Sequence, residues 1–173
     1  FTGLRVGAAA WKGLAFALRL PLAPVPTLNA MTRLNAFTDG LVIPMLDARM
    51  GEVFGAVYRF VDGRREKLTP DKVCRVEDFF SDAFAHTGPL LVLGDGAWRY
   101  RERILQCAPH AHFADGPRGM PCAAAVASEA ALLLRQGVDT DPAKAAPRYL
   151  RASQAEQARA ERNAHTPQSR NYG

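Results

Sequence analysis

Few folds can accommodate the opening of this chain, because residues 2–20 put apolar or small side chains on every side of a helix. Leu4, Ala8, Trp11, Ala15 and Leu18 fall on one stripe at steps of four and three. Val6, Ala9, Ala10, Gly13, Phe16, Ala17 and Leu20 fill the remaining sides. Thr2 is suited to cap the start, Gly3 permits a tight entry, and Pro21 stops the helix. The only charges, Arg5, Lys12 and Arg19, recur every seven residues. They form one ridge that drifts by about 20° per heptad. A helix apolar all round is built to be covered on more than one face, either by its own domain or by a second molecule. The charged ridge is expected to point at water or at an acidic partner.

The remaining pattern alternates strands and helices. Residues 22–25 are expected to form a short buried strand, and a second helix runs from Thr27 to about Phe37. The pattern breaks at Asp39-Gly40. Residues 41–47 and 53–60 then form a β-hairpin around Arg49-Met50-Gly51-Glu52, and residues 65–73 add a more exposed strand after the Asp62-Gly63 turn. A helix over residues 76–85 places Val76, Phe79, Phe80 and Phe84 on a common side. Residues 90–93 form a buried strand ended by Gly94-Asp95-Gly96, and a helix follows over residues 97–106. The helix over residues 121–136 is rich in Ala and Leu, is closed by Gly137, and has a face suited to lie flat on a sheet. Beyond Pro142 the chain turns irregular and ends in a polar helix or in disorder.

Composition narrows the class. With 48% hydrophobic and 23% charged residues the chain has ordinary globular make-up. No apolar run approaches the roughly eighteen residues that span a bilayer, so a soluble, cytoplasmic protein without membrane contact is expected. Phe1 is not an initiator Met, and the chain is expected to start within a longer gene. Cys74, Cys107 and Cys122 are odd in number and lack Cys-x-x-Cys spacing, which favours neither a disulfide framework nor a zinc ribbon. His110 and His112 fall far short of a metal ligand set and are expected to be loop residues. From Lys144 onward six basic residues oppose two acidic ones, so four of the five net positive charges lie there. A solvated terminus is the simpler account of them; phosphate contact by counterion release is the other. Gly94-Asp95-Gly96 before a helix is a setting in which backbone amides hold phosphate. Without a completing Gly-x-x-x-x-Gly-Lys or Gly-x-Gly-x-x-Gly, a tight turn with a helix cap is favoured.

The opening Phe1-Thr2-Gly3-Leu4-Arg5-Val6-Gly7, with Trp11-Lys12-Gly13-Leu14-Ala15 and Leu20-Pro21-Leu22, resembles the motif of TsaB proteins, whose full form begins Gly-Pro-Gly-Ser before the Phe. Three further pieces occur in that family's order. They are Asp47-Ala48-Arg49-Met50-Gly51-Glu52-Val53-Phe54, then Gly94-Asp95-Gly96-Ala97, then Pro147-Arg148-Tyr149-Leu150-Arg151 with Ser153-Gln154-Ala155-Glu156. Together they bracket residues 1–156. The resemblance implies an α/β fold of the actin-like ATPase type (ASKHA, ribonuclease H-like) with two subdomains. The first would be incomplete over residues 1–39, the second would span 40–153, and 154–173 would be a polar basic tail. It further implies a non-catalytic activator of TsaD, the relative that transfers a threonylcarbamoyl group to the anticodon-adjacent adenosine of tRNA, with a TsaE-type ATPase assisting. Contact with tRNA would be indirect, and alone the protein would form a homodimer. Helices of the first subdomain would make the interface, which maps here onto Leu4, Ala8, Ala9, Trp11, Lys12, Gly13, Ala15 and Phe16.

Catalytic TsaD relatives carry a His-x-x-x-His metal pair at the start of the helix following this motif. The corresponding residues here, Thr27-Leu28-Asn29-Ala30-Met31-Thr32-Arg33-Leu34, contain neither histidine nor carboxylate. That metal site is not carried over, and no catalytic residue or cofactor is assigned. Two other readings stand beside this one. The first is an active ATP-binding kinase or transferase of the same fold using Asp47 or Asp95. The second is a tRNA-binding module using the basic tail and the Arg5, Lys12, Arg19 ridge.

Overall fold

The computed structural model describes residues 2–35, 39–81 and 88–151. Its centre is β1 (Gly40–Arg49), whose first residues Leu41, Val42, Ile43 and Met45 are all buried. A strand apolar on both faces is what a sheet covered on both sides requires. The chain returns against β1 as β2 (Glu52–Gly55) and β3 (Tyr58–Val61). Met45 stands opposite Gly55 and Val42 opposite Tyr58, so the two strands share one antiparallel register and are halves of a single hairpin arm broken at Ala56-Val57. β4 (Arg64–Lys67) pairs with β3, and β5 (Lys72–Arg75) pairs with β2. On the other edge of β1, β6 (Leu90–Leu93) runs parallel and is followed by the short β7 (His112–Phe113).

Alternation along β1 sorts the core into two layers. Leu41, Ile43 and Met45 face a cluster with Val76, Phe79, Phe80, Ala97 and Ile104. These come from α3 (Val76–Ser81), α4 (Asp95–Arg99) and α5 (Arg101–Cys107). Val42 faces the opposite layer with Leu28, Met31, Tyr58, Phe60 and Leu93. Leu28 and Met31 belong to α2 (Thr27–Thr32), which continues as a 3-10 turn over Arg33–Asn35. Behind α2 packs α7 (Ala123–Arg135); the four-residue α6 (Gly116–Gly119) lies against β6. The result is a three-layer α/β/α arrangement with α1 (Thr2–Leu18) at its margin.

Several expectations need correction. Residues 22–25 form no strand: Pro21, Pro24 and Pro26 remove donors at close intervals, and the Leu22 N–H bonds only to Thr140 O, at 3.1 Å. Residues 65–73 divide into β4 and β5 at Thr69-Pro70, where Thr69 Oγ1 accepts the Val57 N–H at 2.9 Å. The helix expected over 97–106 begins earlier and breaks at Tyr100 (φ −109°). α7 lies on α2 rather than flat on the sheet. His112 is a strand residue, not a loop one. Phe37, Phe84 and the tail beyond Arg151 lie outside the described residues.

Candidate functional site

α1 ends because its chain reverses into a left-handed residue. Arg19 has φ +53°, the Leu20 N–H reaches back to Ala15 O at 2.9 Å, and the Arg19 N–H reaches Phe16 O at 3.2 Å. That pair of bonds is the Schellman arrangement, and α7 closes in the same way with Gly137 at φ +73°. Around the helix, burial is one-sided. Ala15 is buried at 7% exposure, and Ala8 and Lys12 beside it are half-buried. On the opposite side Gly3, Val6, Ala10, Gly13 and Ala17 are all exposed, and they follow one another at steps of three and four. This is the spacing of a helix–helix seam. A side chain added at Gly3 or Gly13 would meet open space. Phe16 (79% exposed) flanks the seam, whereas Trp11 (65% exposed) lies on the stripe of Ala8 and Ala15, at its exposed edge.

Of the charged ridge, Arg5 and Arg19 are exposed as the spacing predicts, whereas Lys12 is half-buried, and Arg5 and Lys12 bond to the chain itself in place of an acidic partner. Lys12 Nζ donates to the carbonyls of Ala143 (3.1 Å) and Ala145 (2.8 Å). Arg5 Nε donates to the Tyr149 hydroxyl at 3.1 Å, and its guanidinium lies over that ring. For Lys12 two backbone carbonyls, and for Arg5 a tyrosine, serve where an acid was expected. The structure therefore splits the expected interface set. Ala9, Gly13 and Phe16 are exposed on the outer side, Leu4 is exposed at the rim of a cleft, Trp11 is exposed at the edge of the inner stripe, and Ala8, Lys12 and Ala15 turn inward. Val6, Ala10 and Ala17 complete the outer face; Val6 lies seven residues before Gly13, and Ala10 and Ala17 follow Gly3 at successive steps of seven, which was the available signal for them.

A cleft of about 630 Å³ opens between the start of α1, the start of α2 and the β1–β2 hairpin, with residues 148–151 along one side. Asp47 projects at its edge. Its Oδ1 accepts the Arg49 N–H at 2.9 Å and the Tyr100 hydroxyl at 3.1 Å, while Arg49 and Arg99 lie 3.5 and 3.6 Å from Oδ2. Burial pushes the Asp47 carboxyl up, but those hydrogen bonds and cations outweigh it and hold its pKa below the ordinary value. Such a carboxylate is a weaker base than a free aspartate. Asp95 Oδ1 receives the Asp47 N–H (3.0 Å) and the Gly96 N–H (2.8 Å), so it ties the β6–α4 turn to the hairpin. Gly94 (φ +105°) has no room for a side chain, since a Cβ would lie 2.0 Å from Met45 O. The Gly-Asp-Gly segment is thus a close-packed turn against β1. Among the described residues no group of three or more His, Cys, Asp or Glu converges on a point. No described helix is long and apolar enough to cross a membrane.

Comparison with known proteins adds independent findings. Residues 1–93 match the family described as TsaD, tRNA N6-adenosine threonylcarbamoyltransferase. A Bacillus subtilis (strain 168) protein named tRNA threonylcarbamoyladenosine biosynthesis protein TsaB is 29% identical over 160 residues, covering 90% of this chain and 67% of its own length. The Escherichia coli (strain K12) protein of the same name is 43% identical over 63 residues, 34% of this chain and 26% of that one. Among solved structures, YeaZ from Pseudomonas aeruginosa superposes with a TM-score of 0.68 at 27% identity, covering 87% of this chain and 69% of that one. A Pseudomonas aeruginosa protein described as uncharacterized, with similarity to peptidase YEAZ, gives 0.71 at 27% identity, covering 87% and 68%. This chain spans about two thirds of the Bacillus relative's length.

Proposed function

Since the chain belongs to the family described as TsaD, tRNA N6-adenosine threonylcarbamoyltransferase, and shares the actin-like α/β fold of the YeaZ structures, we propose that it is a non-catalytic partner in that chemistry. It offers the outer face of α1 to a TsaD-type catalytic subunit. The observation that carries this reading is the exposed seam of Gly3, Val6, Ala10, Gly13 and Ala17 flanked by Phe16. Contiguous apolar surface of this kind on a folded protein marks an interaction site. Small seam residues let a partner helix approach within about 8–10 Å. The accessory role is favoured over catalysis by the composition of α2, whose start lacks the histidine pair of catalytic relatives. No His-Glu-x-x-His occurs in the sequence to support the peptidase mentioned in one relative's description.

Two other uses lose support. An ATP-binding transferase working through Asp47 or Asp95 would need acids that here hold the hairpin and the β6–α4 turn in place. A tRNA site built on the Arg5, Lys12, Arg19 ridge would need two cations, Arg5 and Lys12, that are instead engaged with residues 143–149 of the chain. The test is a pair of substitutions on the outer face, Ala9→Arg and Gly13→Leu. Both positions are exposed, and Gly13 has free space for a side chain, so circular dichroism should not change. Binding to a TsaD-type subunit, measured by titration calorimetry, should be lost in both. Normal affinity in both variants rejects the proposal.

A further inference from the structure

Residues 138–151 form no helix or strand and lie along α1 and the β1–β2 hairpin in succession. The segment leaves α7 at Gly137, and Thr140 O accepts the Leu22 N–H just beyond α1. Ala143 O and Ala145 O then take Lys12, and Tyr149 takes Arg5. At the far end Arg151 Nη1 donates to Ala48 O at 2.8 Å, its Nη2 pairs with Glu52, and its guanidinium lies over the Phe54 ring. The long-range hydrogen bonds of α1 described above all end on this strap. Among the described residues α1 makes no substantial packing contact with any other helix or strand.

We infer that the strap is a clamp that passes the position of the β1–β2 hairpin to α1, so that groups at its far end set the pose of the helix without touching it. Arg151 lies six positions after Ala145, the last carbonyl on Lys12, a reach of at most about 22 Å when fully extended. Pro147 fixes its own φ and restricts the residue before it. A short, stiff connection anchored at both ends transmits a displacement rather than absorbing it. That this pose matters for docking rests on the reading of α1 given above.

Amide hydrogen exchange on the full chain, read for α1 against β1 and β6, tests the clamp directly. Lys12→Met removes the near anchor, and Arg151→Leu removes the far one. Each should raise exchange in α1 about tenfold while β1 and β6 stay unchanged, since one charge-assisted hydrogen bond is worth about that factor or more. Lys12→Arg keeps a donor for the carbonyls and should restore protection. Arg151→Lys retains the charge but gives up the fork, so it should produce the same change in smaller degree if Arg151→Leu does not fold. Affinity for a TsaD-type subunit should fall about tenfold in step with the exchange. Unchanged α1 exchange in the Arg151 variants, whatever happens to affinity, overturns the clamp. Faster α1 exchange together with normal binding by Gly13→Leu supports the clamp and removes the docking reading instead.

Discussion

Glu129 is fully buried on α7 and faces two arginines from other elements. Arg65 of β4 donates to it through both terminal nitrogens, at 2.6 and 3.1 Å, and Arg33 Nε lies 3.5 Å away. Arg65 also reaches Asn29 O and Thr32 Oγ1, so one cluster joins α7, α2 and the sheet. Removing one member of a buried pair strands the other charge, which typically costs about 3–5 kcal/mol. Glu129→Ala should show that loss in urea denaturation, whereas combining Glu129→Leu with Arg65→Met should recover most of it. A second residue-scale prediction concerns pH. Arg103 donates to Glu77 across α5 and α3, and that bond holds the Glu77 carboxyl at about 2, below its ordinary 4.5. A depressed acid stabilises the fold above its unfolded pKa, and the benefit fades as pH falls from 4.5 toward 2. The pair is about half exposed, so its worth is modest, about 0.2–1 kcal/mol. Glu77→Gln should remove that much of the slope of stability across this pH window, as measured by denaturant titration at stepped pH.

At the level of elements, the β6–α4 turn holds the glycine with the least room for a side chain among the described residues. Gly94→Ala would drive a methyl into the Met45 carbonyl at a backbone angle that L-residues rarely adopt. A loss of about 3 kcal/mol or more in thermal or chemical denaturation is expected. Asp95→Asn, which keeps an acceptor for the same two N–H groups, should be much milder. The turn was legible because Leu90, Leu91, Val92 and Leu93 form a short apolar run closed by two glycines, a pattern with few alternatives. The hairpin was legible for a similar reason, including its arm from Val53 to Phe60, because the pairing register survives the break at Ala56-Val57. Residues 22–25 were not, since apolar character alone does not reveal that three nearby prolines deny a sheet its donors. Nor could the composition of α7 show whether its inner face meets a sheet or a helix. Glu129 was missed because an isolated glutamate on an Ala- and Leu-rich helix is ordinarily solvated. Its four-residue spacing from Ala125, which is also buried, was the signal that it belonged to the inner stripe.

For the molecule as a whole, the decisive asymmetry is that the core layers are closed around β1 while α1 presents its outer side uncovered. Its polar bonds are spent inward on the strap, which leaves an outer face almost without charge. Two copies meeting through this face would bury apolar area worth about 25 cal/mol per Å² against the entropy of association. The chain without a catalytic partner should therefore self-associate as its concentration rises, observable by sedimentation velocity. Ala9→Arg should hold it monomeric by placing a charge beside the seam. Salt then separates this contact from an electrostatic one. Surface charge interactions weaken strongly as ionic strength approaches 1 M, where screening acts within about 3 Å. An apolar seam should associate equally well or better in high salt, and so should the complex with a TsaD-type subunit. Association that dissolves on adding salt would place the contact on the arginines and lysines of the surface and away from α1. Phe16 gives a local check, because it stands exposed beside the seam and the sequence has two tryptophans to replace, Trp11 and Trp98. In a Trp11→Phe, Trp98→Phe background carrying Phe16→Trp, association through the seam should shift the emission to shorter wavelength with the same concentration midpoint as sedimentation.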